Sequence, residues 1–392
     1  MISFFTESKK IQDKLIEYRR YLHMHPEIDR DLKNTADFIE NILSNYNINY
    51  KRYENCGIMA EVGKGEKIIA LRADMDALTI EDKKDVPYKS KNKGLMHACG
   101  HDAHTSIQLG TCILLKKYEH LLNGKVRFIF QPAEETDGGA MDMIDYGALD
   151  NVSFISALHV EETLDTGTIG INSGIVSAAS NPFKITIKGK GAHGAHPEDG
   201  IDPIVAASKI IDNLQIIISR EISALKSAVI TIGKINGGTA PNAIAEEVII
   251  EGIIRTLGNT TRKQVLDRFT SIVNLTAEAF RCNVEMNIIE GYPSFSNDNN
   301  LIEILNNIQS ENSNYFTIKK LEYPSMGVED FAYYTEKVPG IYFKLGCRNV
   351  NKGIVHPAHG SYFDIDEECL WIGCAIQCSI VQKFIMNETK EL

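Results

Sequence analysis

A cysteine, three histidines and an acid crowd together in Met96-His97-Ala98-Cys99-Gly100-His101-Asp102-Ala103-His104. Thiolate, imidazole and carboxylate packed around a glycine could wrap zinc or a neighbouring transition metal. The same residues could instead cap the start of a helix. A second segment, Gln131-Pro132-Ala133-Glu134-Glu135, ends an apolar run and precedes Gly138-Gly139. Paired acids there are either a solvated turn or a division of labour, one carboxylate binding metal and the other moving protons. His159 closes the apolar run from Ser153 and is either a satisfied core residue or a ligand. Near the C-terminus, His356-Pro357-Ala358-His359-Gly360-Ser361-Tyr362-Phe363-Asp364-Ile365-Asp366-Glu367 offers one more imidazole, and chemistry alone leaves open which histidine serves.

Residues so far apart need a scaffold that brings them together. Helical spacing runs from about Thr6 to Leu22 and meets a proline stop at Pro26, and a second helix is expected from Asn34 to Asn45. Short apolar runs at Gly57 to Val62, Lys67 to Arg72, Lys125 to Phe130 and Ser153 to His159 read as strands. Helices alternating with strands place the chain in the α/β class, whose open sheets bind ligands at strand ends. From Phe183 the rhythm changes: strand Phe183 to Lys188, helix Pro203 to Arg220, strands Ser227 to Lys234 and Glu247 to Thr256, helix Thr261 to Phe280, strand Asn283 to Ile289. That order is β-α-β-β-α-β, the ferredoxin-like pattern. After Tyr292 the chain resumes with helices, one strand at Gly340 to Leu345 and a last helix from Glu367. The expectation is a larger α/β domain, residues 1–181 and 293–392, interrupted by a small inserted domain, residues 182–292.

A chain of 392 residues is long enough for two domains. Its formal charge of -11 disfavours a broad phosphate-binding face, so no nucleic-acid partner is expected. The short apolar start is broken by Glu7, Lys9 and Lys10 and does not read as a signal peptide, and no apolar run is long enough for a membrane span. A cytoplasmic location follows as an expectation. The 8 cysteines lack a framework of close spacings and fit reduced thiols, with Cys112, Cys369, Cys374 and Cys378 expected in the core.

The motifs, in their order, resemble the M20 metallopeptidase and amidohydrolase family, and within it the N-acyl-amino-acid amidohydrolases, such as hippurate, indoleacetyl-amino-acid and N-acetyldiaminopimelate hydrolases. The likeness covers almost the whole chain. It begins at Arg20-Tyr21-Leu22-His23-Met24-His25-Pro26-Glu27 and Leu71-Arg72-Ala73-Asp74-Met75-Asp76-Ala77-Leu78, and takes in the cysteine–histidine and paired-acid segments above. It continues through Ile187-Lys188-Gly189-Lys190-Gly191-Ala192-His193-Gly194-Ala195, Gly237-Gly238-Thr239-Ala240-Pro241-Asn242, Gly252-Ile253-Ile254-Arg255-Thr256 and Gly327-Val328-Glu329-Asp330-Phe331.

The resemblance implies a zinc-peptidase-like α/β catalytic domain carrying two divalent metal ions, with zinc, manganese, cobalt and nickel all admissible. Cys99 is the implied bridging thiolate, with His101, Glu135, His159 and His359 as further ligands. Glu134 is the implied general base and acid, and Asp76 the residue that orients a ligand. His193 is implied to support the oxyanion from a neighbouring subunit, and Asn242 and Arg255 to hold the substrate's backbone and carboxylate. Ser361 departs from the proline often found there, and His196-Pro197-Glu198 from the usual Pro-His. The implied activity is hydrolysis of small N-acyl-amino acids to a carboxylic acid and a free amino acid, by a homodimer joined through the inserted domain. Dipeptidase or carboxypeptidase action on the same fold is the alternative, and a non-catalytic metal-binding scaffold a distant one.

Overall fold

The computed structural model describes residues 2–386. Two compact units are present, one formed by the chain up to Gly174, Ser296–Tyr323 and the chain from Tyr333, the other by Ile175–Phe295 with Pro324–Ala332.

Among the described residues, the first unit holds a sheet of eight strands in the order Asn49–Arg52, Ile58–Lys64, Gly124–Gln131, Ile68–Asp74, Val152–Asp165, Gly340–Arg348, Thr168–Ile171, Thr317–Lys320. Its centre is parallel: Ile68–Asp74 runs with Gly124–Gln131 on one side and Val152–Asp165 on the other, and Gly340–Arg348 runs with Val152–Asp165. Parallel strands need crossovers, and helices built into those crossovers bury both faces of the sheet. Every residue of Ile68–Asp74 is accordingly buried. Register sets what the carboxyl ends present. Asp74 lies opposite Gln131, and Arg72 opposite Ala157, which brings His159 level with Asp74.

Helix His101–Lys117 lies in the core, buried on nearly all faces, and packs against the similarly buried helix Cys369–Ile385. A helix without a polar face is the signature of such central burial. Cys112, Cys369, Cys374 and Cys378 are all buried there as free thiols. No described helix is long and apolar enough to cross a membrane.

Three local expectations are corrected. The single N-terminal helix is two, Phe4–Lys10 and Gln12–Met24, because Ile11 leaves helical torsions. That change of phase lets Phe4 and Phe5 be buried along with Leu15 and Leu22. Strand Val152–Asp165 does not stop at His159; pairing with Gly340–Arg348 carries it past the polar residues Glu161 and Glu162. After Tyr292 there is a further sheet strand, Thr317–Lys320, too short and too exposed to show an apolar alternation.

The second unit is a four-stranded antiparallel sheet, ordered Ala228–Gly237, Glu247–Thr256, Ala179–Lys188, Asn283–Ile288, with helices Pro203–Ile216 and Asn259–Ala279. In chain order this is β-α-β-β-α-β. Ile185, Ile187, Ile210, Leu214, Val248, Ile250, Phe269 and Val273 form its core. Phe183, Ile185 and Ile187, alternate residues in the second half of Ala179–Lys188, face that core, as one-sided antiparallel packing requires.

A buried ionic network ties the first unit's helices to its C-terminal loop. Arg19, with no exposed surface, donates from Nε to Asp102 Oδ2 at 2.9 Å and from Nη2 to Asp364 Oδ1 at 2.8 Å. His23 Nδ1 meets the same Asp102 oxygen at 2.6 Å, while Lys84 Nζ donates to His23 Nε2 at 2.9 Å and to Phe363 O at 2.8 Å. Burial alone would raise the Asp102 carboxyl, but Arg19 and His23 hold it well below its ordinary range. Removing one member of such a set strands the others in a medium of low dielectric constant. Arg19→Ala should therefore cost about 3–5 kcal/mol of folding stability. Urea denaturation of parent and variant would measure this, and a change under about 1 kcal/mol would show that the network is no clamp.

Candidate metal centre

The loop that opens helix His101–Lys117 is shaped by Gly100. Its φ is +89°, and a Cβ there would meet Val160 Cγ2 at 2.2 Å, so only glycine fits. The resulting turn sets Cys99 and His101 on either side of it. Cys99 Sγ lies 3.3 Å from His159 Nε2. His159 Nδ1 donates to Val160 O at 2.6 Å, which leaves the Nε2 lone pair directed at the thiol.

The paired acids follow strand Gly124–Gln131 through Ala133, whose φ is +58°. Asp76 holds this tight turn: its Oδ1 accepts from Glu134 N at 3.1 Å and its Oδ2 from Glu135 N at 3.0 Å. The same carboxylate stands 3.4 Å from His101 Nδ1. His359, with φ +61°, donates its backbone N–H to Ala98 O at 2.8 Å and brings Nε2 within 3.3 Å of Glu135 Oε1. His356 instead faces the ring of Tyr362, 5.5 Å away. The two C-terminal histidines are thereby separated, and His359 is the one among the acids and the thiol.

The donor atoms of Cys99, His101 and His159 all lie within 4.8 Å of one another, and so do those of Cys99, Glu135 and His359. Cys99 belongs to both groups. Both ring nitrogens of His101 and Oε1 of Glu135 are buried without a hydrogen bond among the described residues, the approaches of Asp76 and His359 at 3.4 and 3.3 Å being ion-pair contacts only. Burying such atoms unmatched is costly, and a bound cation would satisfy them. The donor set of thiol, imidazoles and carboxylate therefore fits a pair of divalent transition ions sharing the sulfur. Burial pushes the Cys99 thiol well above its ordinary value against the pull of His101, and a cation at the sulfur would reverse that. Burial lowers His159 well below the usual imidazole range, keeping it in the neutral form that ligates.

Reading the sequence missed the residues behind these. His104 Nδ1 donates to Asp74 Oδ1 at 2.6 Å and its Nε2 accepts from Val160 N at 2.8 Å, so it pins the strand next to His159. Arg72 Nη1 donates to the other Asp74 oxygen at 2.6 Å. Asp74, His101 and His104 also lie close enough to hold an ion, but Asp74 and His104 are engaged with each other and with Arg72 and Val160. They orient the cage. The available signal was spacing: His104 follows His101 by one helical turn, and Asp74 precedes Asp76 by one strand repeat.

The other expected site residues belong to the second unit. His193 ends the short strand Ala192–His193, opposite Ala243, and Gly194 N donates to Asn242 O at 2.8 Å. The structure thus brings His193 and Asn242 side by side. Arg255 lies in strand Glu247–Thr256, half-buried, with Nη1 3.4 Å from Met326 O. Burial lowers its pKa, and no acid among the described residues opposes that effect.

Comparison with known proteins adds three findings. The family model described as Peptidase family M20/M25/M40 matches residues 70–383. The chain is 39% identical over 364 residues to an N-acetyl-L-cysteine deacetylase of Bacillus subtilis, covering 92% of this chain and 85% of the relative, and 35% identical to thermostable carboxypeptidase 2 of Saccharolobus solfataricus, covering 96% of each. Among solved structures, the Bacillus subtilis YXEP protein, described as a dinuclear metal binding peptidase from the M20 family, superposes with a TM-score of 0.83 at 33% identity, covering 95% of this chain and 98% of that one.

The cage makes Gly100→Ala informative. A left-handed alanine costs about 1–2 kcal/mol before any overlap with Val160 is counted. The variant should fold yet purify with markedly less bound metal than the parent by elemental analysis. Parental metal content would show that the Gly100 turn does not set the Cys99–His101 spacing.

Proposed function

Because this chain belongs to peptidase family M20/M25/M40 and is a dinuclear metal hydrolase of amide bonds, we propose that it cleaves N-acyl-amino acids to a carboxylic acid and a free amino acid. The observation that carries this reading is the sharing of Cys99 by two donor groups, with a carboxylate oxygen of Glu134 within 4.8 Å of the donor atoms of His101 and Glu135 but not grouped with Cys99. Cys99, His101 and His159 would hold one cation and Cys99, Glu135 and His359 the other, drawn from zinc, manganese, cobalt and nickel. When bound, the pair supplies Lewis acidity to the amide carbonyl and to the attacking water.

Glu134 accepts the proton of that water and returns it to the leaving amine. Asp76, bonded to both backbone N–H groups of the acid pair, holds the turn that presents Glu134 and Glu135 and stands beside His101. His193 donates to the developing oxyanion, Asn242 holds the substrate backbone, and Arg255 takes its carboxylate through a bidentate fork. A half-buried guanidinium with no acid among the described residues opposing its desolvation is a fitting seat for a substrate anion.

The residues 182–292 serve in this reading as lid and dimerisation domain, between catalytic parts 1–181 and 293–392. Strand Ala228–Gly237 is a long sheet edge exposing Val229 and Ile235, and the neighbouring helix exposes Ile204 and Val205. Such an edge favours pairing with a second copy, and a homodimer would let His193 act in the partner's site. Free thiols throughout fit a reducing cytoplasm.

The carboxypeptidase relative favours a second reading, action on unblocked peptides, since an acyl group and an N-terminal residue present the same scissile bond. Two measurements decide. Glu134→Gln should retain its metal and lose about 10²–10⁴-fold in kcat, and parental turnover would refute the role given to Glu134. The parent should hydrolyse N-acetyl- and N-benzoyl-amino acids faster than unblocked dipeptides, and the opposite order would establish the peptidase reading instead.

A further inference from the structure

The two donor groups differ in how firmly the fold holds them. His101 sits at the start of a buried helix with no exposed side-chain surface, and His159 lies within a paired strand. His359 rides on a loop, leaves 54% of its side chain exposed and carries a left-handed φ of +61°. That torsion costs a non-glycine residue energy, so neighbours must impose it. One tether is the bond from His359 N to Ala98 O at 2.8 Å, and another joins Lys83 N to Ser361 O at 3.0 Å. The third comes from a residue outside every donor group: Glu162 Oε1 accepts from Ala358 N at 3.1 Å, one residue before His359.

Glu162 stands three residues beyond His159 on the strand that runs on to Asp165. Its neighbour Glu161 is differently engaged, accepting from Thr163 Oγ1 at 2.7 Å and lying 3.8 Å from Lys344 Nζ. The acids therefore divide, Glu161 bracing its own strand and Glu162 reaching to the histidine loop. One strand then positions two imidazoles, His159 directly and His359 through Ala358.

We infer that Glu162 is the positioning residue for the outer cation, the one held by Cys99, Glu135 and His359, and that its bond to Ala358 N sets the affinity of that place while leaving the inner place unchanged. The inference rests on the two-cation reading above. The role needs the acceptor oxygen at its present reach. A glutamine keeps both; an aspartate keeps the charge and withdraws the oxygen by one methylene.

The test uses the full chain, stripped by chelator and titrated with Mn²⁺, with binding followed by calorimetry and by the electron paramagnetic resonance signal of a coupled manganese pair. The parent should take up two ions and show the coupled signal. Glu162→Ala and Glu162→Asp should bind the first ion within about threefold of the parent and the second about 10–100-fold more weakly, with the coupled signal lost at ion concentrations that saturate the parent. Glu162→Gln should restore both ions and the signal. Parental second-ion affinity in both Ala and Asp variants overturns the inference, as does a Gln variant that fails as badly as Ala. A parent that never binds a second ion would instead sink the two-cation reading, so the two failures are told apart. Should the Ala protein not fold, the Asp and Gln pair carries the same comparison.

Discussion

The molecule keeps a thiol, imidazole nitrogens and a carboxylate oxygen together in its interior, with several of those atoms unmatched by any hydrogen bond among the described residues. Each such atom costs free energy that the hydrophobic core must offset. Divalent cations would resolve the conflict, since they would satisfy His101 and Glu135 and favour the thiolate form of the buried Cys99. Electrostatic need at one point in the interior thus governs what the surrounding scaffold has to do. It must deliver donors from distant segments to within a few ångströms and must hold them there before any ion arrives.

The parallel sheet does the delivery. Its adjacent strands end at the same edge, so Asp74, the turn after Gln131 and the level of His159 converge without long loops. Helix His101–Lys117 supplies the fourth approach by starting at that edge. The ionic network of Arg19, His23, Lys84, Asp102 and Asp364 then fixes the loop that carries His359 relative to the start of that helix. Asp102 adjoins His101, and Asp364 follows His359 by five residues. A clamp between these neighbours limits how far His101 can lie from His359, the donors that the proposed reading gives to different cations.

Much of this was legible in the residue order. The alternation of helices and strands, the ferredoxin-like order of the small domain, and the pairing of Cys99 with His101 all follow from local pattern. What pattern could not show is wherever a partner distant in sequence decides. His159 looked like a strand end because Glu161 and Glu162 are polar, yet pairing with Gly340–Arg348 continues the strand through them. Asp74 and His104 carry no visible sign of their bond, which exists only because a strand end and a helix start meet in space. The break at Ile11 is invisible for the same reason, since both helices have acceptable periodicity and only the packing of Phe4 and Phe5 demands the change of phase.

The same distinction explains why the two C-terminal histidines could not be separated by chemistry. His356 and His359 have identical donor atoms and share one loop, so residue type says nothing about which turns inward. Backbone bonds decide: Ala98 O takes the N–H of His359, and Glu162 takes that of Ala358. Selection between equivalent donors is therefore made by the main chain, through a strained torsion that the side chain alone would not adopt. A ligand chosen in this way is only as well placed as the loop that presents it. The proposed centre accordingly joins donors on rigid elements to one on a tethered segment, and Glu162, which bonds to Ala358 N in that segment, would set the hold on the outer cation.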